Sequence, residues 1–263
     1  QNDYLAEVAA RYPDRFFVCG MCEFRKPGYL DQARQLIARG FQGIKIPAQR
    51  LLLQEGRVRL NGEEMMQMFH LMEQNGVLLS IDMADGDTQV GELEEVIQEC
   101  PKLKVAIGHF GMVTRPQWKE QIKLARHPHV RIESGGITWL FNDEFYPFKG
   151  AIKAIREAAE LVGMEKLMWG SDYPRTITAI TYKMSYDFVV KSLELSEVEK
   201  TLFLGGNARK FYGFAELPEL LGSPAIRQVS SQGEGSSRGS SENLRVPPGR
   251  NPPRGTAVPG GRL

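Results

Sequence analysis

Cysteine is scarce in this chain: Cys19, Cys22 and Cys100 are the only three among 263 residues. So small and odd a count argues against a disulfide framework and for a reducing, cytoplasmic setting. Cys19-Gly-Met-Cys22 has C-x-x-C spacing, but no second pair completes a zinc site. Both cysteines also fall in an expected strand, so they read as buried thiols. Long apolar runs are missing too. No stretch approaches the roughly 18 residues a membrane-spanning helix needs, and no secretory leader opens the chain. Charge of one sign is not in excess: 33 Lys and Arg face 32 Asp and Glu. The basic surplus is confined to 221–263, with six Arg and two Glu (+4), which leaves −3 on the remainder. A mildly acidic body does not point to nucleic acid or an acidic membrane as the main partner. The absence of G-x-G-x-x-G and of a P-loop weighs against a nucleotide-binding open sheet.

What is present is a repeated unit. Apolar strands are expected at 16–23, 43–47, 77–83, 104–109, 129–133 and 166–170, and a helix with 3.6-residue periodicity follows each. Six such strand–helix units predict a parallel sheet buried on both faces. An open doubly wound sheet and a β/α barrel both fit. Asn61 and Asn207 are expected helix caps, and Ser196-x-x-Glu199 is an expected capping box. Met65, Met68 and Met72 recur at core spacing. From residue 217 the chain turns rich in Ser, Gly, Pro and Arg, and its expected state is a disordered tail over 217–263 behind a domain over 1–216. An RNA contact through that tail is a remote alternative. The opening NDYLAEVAARY reads as the middle of a domain, so a preceding segment is expected.

The chemistry-bearing residues stand at strand ends. Asp172 follows the strand KLMWG, and His109 follows KVAI in I-G-H-F-G. In a β/α barrel that end of a strand houses the active site. A carboxylate directly after a buried strand needs a cation, a donor or solvent. A His between glycines suits a metal ligand or a general base. Asp82 ends VLLSID and is either a further ligand or a solvated loop residue. Lys45, inside GIKIP, either points into the barrel mouth toward an anionic substrate or snorkels at the strand end. Arg115 and Arg175, just past H-F-G and D-Y-P, are placed to clamp a substrate carboxylate. His127 and His129 lie at the opposite end of a strand, and His70 lies on a helix; all three read as surface residues.

The ordered segments NDYL…RYPDRF, GFQGIKI, IGHFG, MWGSDYP and GNARKFYGF together resemble the amidohydrolase-related (amidohydrolase 2) family across about residues 1–214. The resemblance implies a (β/α)8 TIM-type barrel. The six units would be its third to eighth, with the first two strands missing and with them the family's H-x-H pair. His109 then matches the family's sixth-strand His and Asp172 its eighth-strand Asp. Asp82 stands where many members carry a fifth-strand His. The family implies hydrolysis of lactones and amides or non-oxidative decarboxylation, often with one divalent metal such as zinc. Some of its lactonases work without a metal. His109, Asp172 and Asp82 are the implied metal donors, with a metal-free site as the alternative.

The expectation is therefore a hydrolase of a small carboxylated lactone or amide. Asp172 would activate water, His109 would polarise the carbonyl, and Arg115, Arg175 and Lys45 would bind substrate. A metal-dependent decarboxylase is the second reading, and an inactive truncated relative or gene-model fragment the third. The expected partner is a small molecule, with homo-oligomer formation open.

Overall fold

The computed structural model describes residues 1–53 and 57–215. The tail expected over 217–263 lies outside the described residues. Six strands form one sheet in sequential order: β1 (Cys19–Gly20), β2 (Gly43–Pro47), β3 (Leu78–Asp82), β4 (Val105–Ile107), β5 (Val130–Glu133) and β6 (Leu167–Met168). Every adjacent pair is parallel. Parallel crossovers share one hand, so a sheet with no reversal of strand order keeps its helices on one face. A doubly wound sheet needs such a reversal. The architecture is the α/β barrel type, here with six strands.

The strands are not buried equally on both faces, as uniform apolar runs would require. Ile44, Ile46, Leu79, Ile81, Val105, Ile107, Val130 and Ile132 are buried and belong to the main core with the helix residues Met65, Met68, Phe69 and Met72. The alternate positions Lys45, Ser80, Asp82, Arg131 and Glu133 are only half-buried. Successive side chains point to opposite faces. The polar set therefore lines the inner, concave face, and Lys45 pairs in register with Ser80.

Other inner-face positions are covered by aromatics. Leu78, Ala106 and Met168 pack with Phe211, Phe17 and Tyr212. Lys104 Nζ donates to the Phe211 carbonyl at 3.2 Å. A cavity of about 460 Å3 opens there, lined in part by Phe17, Phe41, Lys104 and Phe211. It lies at the end opposite the carboxylates and holds none of the candidate residues.

Five of the six expected strands are shorter than expected, β1 and β6 reduced to two residues each. The Asn2 side-chain amide donates to Met21 O at 2.9 Å and accepts from Met21 N at 3.1 Å, taking the groups that would extend β1. Trp169 N bonds Phe203 O outside the sheet at 2.8 Å, which ends β6. Two expected caps also differ. Gly62 is the N-cap of helix Glu63–Gln74, while Asn61 Nδ2 donates to Glu95 at 2.6 Å. Asn207 is the first residue of helix Asn207–Tyr212, which runs on directly from the π-turn Leu202–Gly206, so it is not a cap. The capping box of Ser196 and Glu199 forms as expected.

Buried amides fix the loops at the C-terminal ends of the strands. Gln89 accepts from Ala84 N and donates to Ala48 O, and Gln121 Nε2 donates to Ala84 O and Gly86 O. Buried polar groups persist only when bonded, so these glutamines hold the loops to one geometry.

Asn207 does comparable work at β6, where its Nδ2 donates to both Met164 O and Leu167 O at 2.8 Å. Asn207→Ala removes both donors from a buried site. The expected loss is about 1–3 kcal/mol in urea unfolding; a loss indistinguishable from zero would contradict this role.

Candidate active site

One oxygen organises the mouth of the sheet. Asp82 Oδ1, at the C-terminal end of β3, lies 2.5 Å from Lys45 Nζ and 3.4 Å from His109 Nε2. The approach depends on Gly108, where a Cβ would stand 2.5 Å from that oxygen. His109 Nδ1 faces Gly135 O at 2.9 Å. With a carbonyl on one ring nitrogen and a carboxylate on the other, both nitrogens are called on to donate. That favours the imidazolium. The Asp82 contact accordingly raises the His109 pKa to about 9, against a smaller opposing effect of burial. Burial pushes the Asp82 carboxyl up, but His109 and Lys45 together outweigh it and hold the group below its ordinary range.

Asp172 stands beyond β6 and is held by Trp139, whose Nε1 donates to Oδ2 at 3.0 Å. The Trp139 ring lies edge-on to His109 at 6.1 Å and carries the Arg175 guanidinium over its face at 4.6 Å. Both His109 (φ +58°) and Asp172 (φ +52°) have left-handed backbones. Non-glycine residues adopt this conformation rarely, and it concentrates at functional sites.

The segment Ser134-Gly135-Gly136 joins these parts. Ser134 Oγ accepts from Gly170 N at 3.2 Å, and Gly135 O receives His109. Gly136 (φ +75°) leaves room for the indole, since a Cβ there would lie 1.8 Å from Trp139 Nε1. Glu133, the last residue of β5, also points into the mouth. A Cβ on Gly170 would meet its Oε1 at 1.4 Å. The Glu133 carboxylate has no hydrogen bond or ion pair among the described residues. Although the residue as a whole is half-buried, desolvation pushes its carboxyl up, despite the charges of Lys45 and His109.

Lys45, Asp82 and His109 are thus brought together, with Asp172 and Arg175 beside them through Trp139. Arg115 is not: it is exposed and pairs with Asp85 at 3.3 Å. Trp139 and Glu133 carried no expectation from sequence. For Glu133 the signal was available, a charged residue ending a buried strand just before two glycines. For Trp139 there was none, because its partner is 33 residues away.

A family model described as amidohydrolase matches residues 1–214. The chain belongs to the amidohydrolase family. No curated protein matches it, but solved structures do. An amidohydrolase from Burkholderia multivorans with bound zinc is 17% identical, with a TM-score of 0.63 over 81% of this chain and 78% of that one. A probable 2-pyrone-4,6-dicarboxylic acid hydrolase from Acinetobacter baumannii, with citric acid bound, is 20% identical at a TM-score of 0.62, over 81% and 79%. A 5-carboxyvanillate decarboxylase from Novosphingobium aromaticivorans, complexed with manganese, is 19% identical at 0.60, over 81% and 68%. At these identities the likeness establishes the shared fold.

Zinc and manganese belong to those structures, and the donors present here do not reproduce a site for either. A catalytic zinc takes about three protein ligands. Of the donors expected from sequence, Asp82 and His109 adjoin, but Lys45 occupies the same Asp82 oxygen and the imidazole is drawn to its protonated form. Asp172 is turned to Trp139. Among the described residues, the only three metal-type donors with ligand atoms within 4.8 Å of one another are His70, Glu73 and Cys100, away from the mouth.

The His109–Asp82 pair is measurable. Asp82→Asn should lower the His109 pKa by about one to three units in an NMR titration. Folding raises this pKa above its unfolded value, so the pairing stabilises fully below about pH 6.5 and is lost as pH rises through about 9. Wild-type stability should decline across that window. The decline should flatten in Asp82→Asn.

Proposed function

We propose that this amidohydrolase-family chain hydrolyses a small carboxylated lactone or amide. The observation that carries this reading is the pair of cations, Lys45 and His109, fixed on one Asp82 oxygen beside the Trp139-held Asp172. Carbonyl hydrolysis needs a proton acceptor for water and fixed positive charge where the oxyanion develops. Asp172 takes the proton as the water oxygen bonds the carbonyl carbon. Lys45, which gives Asp82 one of its three N–H donors, supplies a donor for the oxyanion, and the positive charge of His109, protonated at neutral pH, polarises the carbonyl beside it. The carbon–oxygen or carbon–nitrogen bond to the leaving group then breaks, and Asp172 returns its proton to that group. Arg175, stacked on Trp139, binds a carboxylate of the substrate.

Decarboxylation is the second reading, favoured by a specific feature: His109 is placed as a proton donor, and a carbanion left by loss of carbon dioxide must be protonated. Product analysis separates the two. Carboxylated 2-pyrones, the class named for the Acinetobacter relative, should give ring-opened acid. Carboxylated phenols, the class named for the Novosphingobium relative, should remain unchanged. Release of carbon dioxide would favour the second reading.

Asp172→Asn should lower kcat by about 10²- to 10⁴-fold with an unchanged melting temperature. Retention of wild-type turnover would remove Asp172 from the mechanism. Trp139→Phe should produce a smaller loss, because it frees Asp172 without deleting it.

A further inference from the structure

The mouth of the sheet is not the only group of reactive side chains. On its helical outer face, helix Glu63–Gln74 carries His70 and Glu73 three residues apart, on one side. Cys100, the C-cap of helix Val90–Glu99, meets them from the neighbouring element. Its side chain is buried, with the thiol Sγ 3.4 Å from His70 Nδ1. One Glu73 oxygen accepts from Lys102 N at 2.6 Å, which fixes the carboxylate. The ligand atoms of the three residues all lie within 4.8 Å of one another.

We propose that His70, Glu73 and Cys100 form a binding site for a borderline-soft divalent cation of the zinc class, separate from the catalytic mouth. Three features of the structure agree with it. With zinc–sulfur near 2.3 Å and zinc–nitrogen near 2.0–2.1 Å, tetrahedral geometry places sulfur and nitrogen about 3.5 Å apart, close to the spacing already present. The thiolate and imidazole select zinc, cobalt or copper over magnesium and calcium, which take oxygen ligands. The surroundings are anionic: Glu95 and Glu99 line an adjoining cavity of about 300 Å3 that reaches His70. Neither they nor Glu73 pair with a Lys or Arg among the described residues. A metal that binds here releases the thiol proton to solvent and neutralises that charge. The backbone bond to Glu73 is the kind of outer contact that orients a ligand. Bound metal would tie the two helices together.

The test uses the full chain, stripped with chelator and titrated with cobalt(II) as the spectroscopic probe. The expected result is one equivalent bound, with a thiolate-to-cobalt charge-transfer band that zinc(II) abolishes by displacement. Cys100→Ser should eliminate the band. His70→Asn and Glu73→Gln, at half-buried positions that tolerate change, should each weaken binding at least about tenfold. Zinc should raise the melting temperature of the wild type and not of these variants. Asp82→Asn and His109→Asn should leave the cobalt band intact, which separates this site from the catalytic reading. The proposal is overturned if cobalt gives no thiolate band. It is equally overturned if the band persists in Cys100→Ser or if His70→Asn and Glu73→Gln bind as the wild type does.

Discussion

The arrangement of the mouth rests on the sharing of one carboxylate oxygen by two cations. Asp82 Oδ1 receives Lys45 from β2 and His109 from the turn after β4, so a single atom ties three neighbouring strand units. The cost of withdrawing the carboxylate from water is offset only because both partners reach it. With either one removed, a buried charge would be left under-compensated. The local sequence serves that contact. Gly108 carries no Cβ to obstruct it, and Gly135 O anchors the far side of the imidazole. The pairing also sets the protonation of His109, and through it whether the residue acts as a base or as a donor. A neutral imidazole would compete with Asp172 for the role of proton acceptor. In the proposed hydrolysis, the imidazolium leaves that role to Asp172.

The position of this atom follows from strand periodicity. Alternation along β2, β3 and β5 sends Ile44, Ile46, Leu79, Ile81, Val130 and Ile132 toward the helices, and it sends Lys45, Asp82 and Glu133 inward. A shift of one residue in any strand would exchange the two sets, burying charge among the helices. The hydrophobic outer face thus enforces the register that assembles the polar inner one. Stability and function are specified by the same alternation, on opposite faces.

Lys45, Asp82, His109 and Asp172 were legible in the sequence because strand ends are legible, from an apolar run meeting a charged residue and a glycine. The strand order was legible as well, since six similar units in succession leave few topologies. Which charges would meet was not. Nothing local distinguishes Arg175, stacked on Trp139, from Arg115, which turns to Asp85. Asn207 looked like a cap because asparagine favours caps, yet its amide is used across 40 and 43 residues. Glu133 was passed over as the polar end of a strand, although Gly135 and Gly170 in the same sequence are the residues that make space for it. In each instance the missing information was a tertiary partner.

The charge balance of the mouth bears on what it can receive. Counted formally, Lys45 and His109 supply two positive charges, and Asp82, Asp172 and Glu133 supply three negative ones. With all ionised, the mouth would be net negative and would repel a carboxylated substrate. Desolvation pushes the Glu133 carboxyl up, which weakens its share of that negative charge. Arg175 then tips the balance positive at the rim. An anion approaching the mouth meets that cationic edge first. In the proposed hydrolysis, Glu133 would thus bear on substrate affinity and Asp172 on proton transfer.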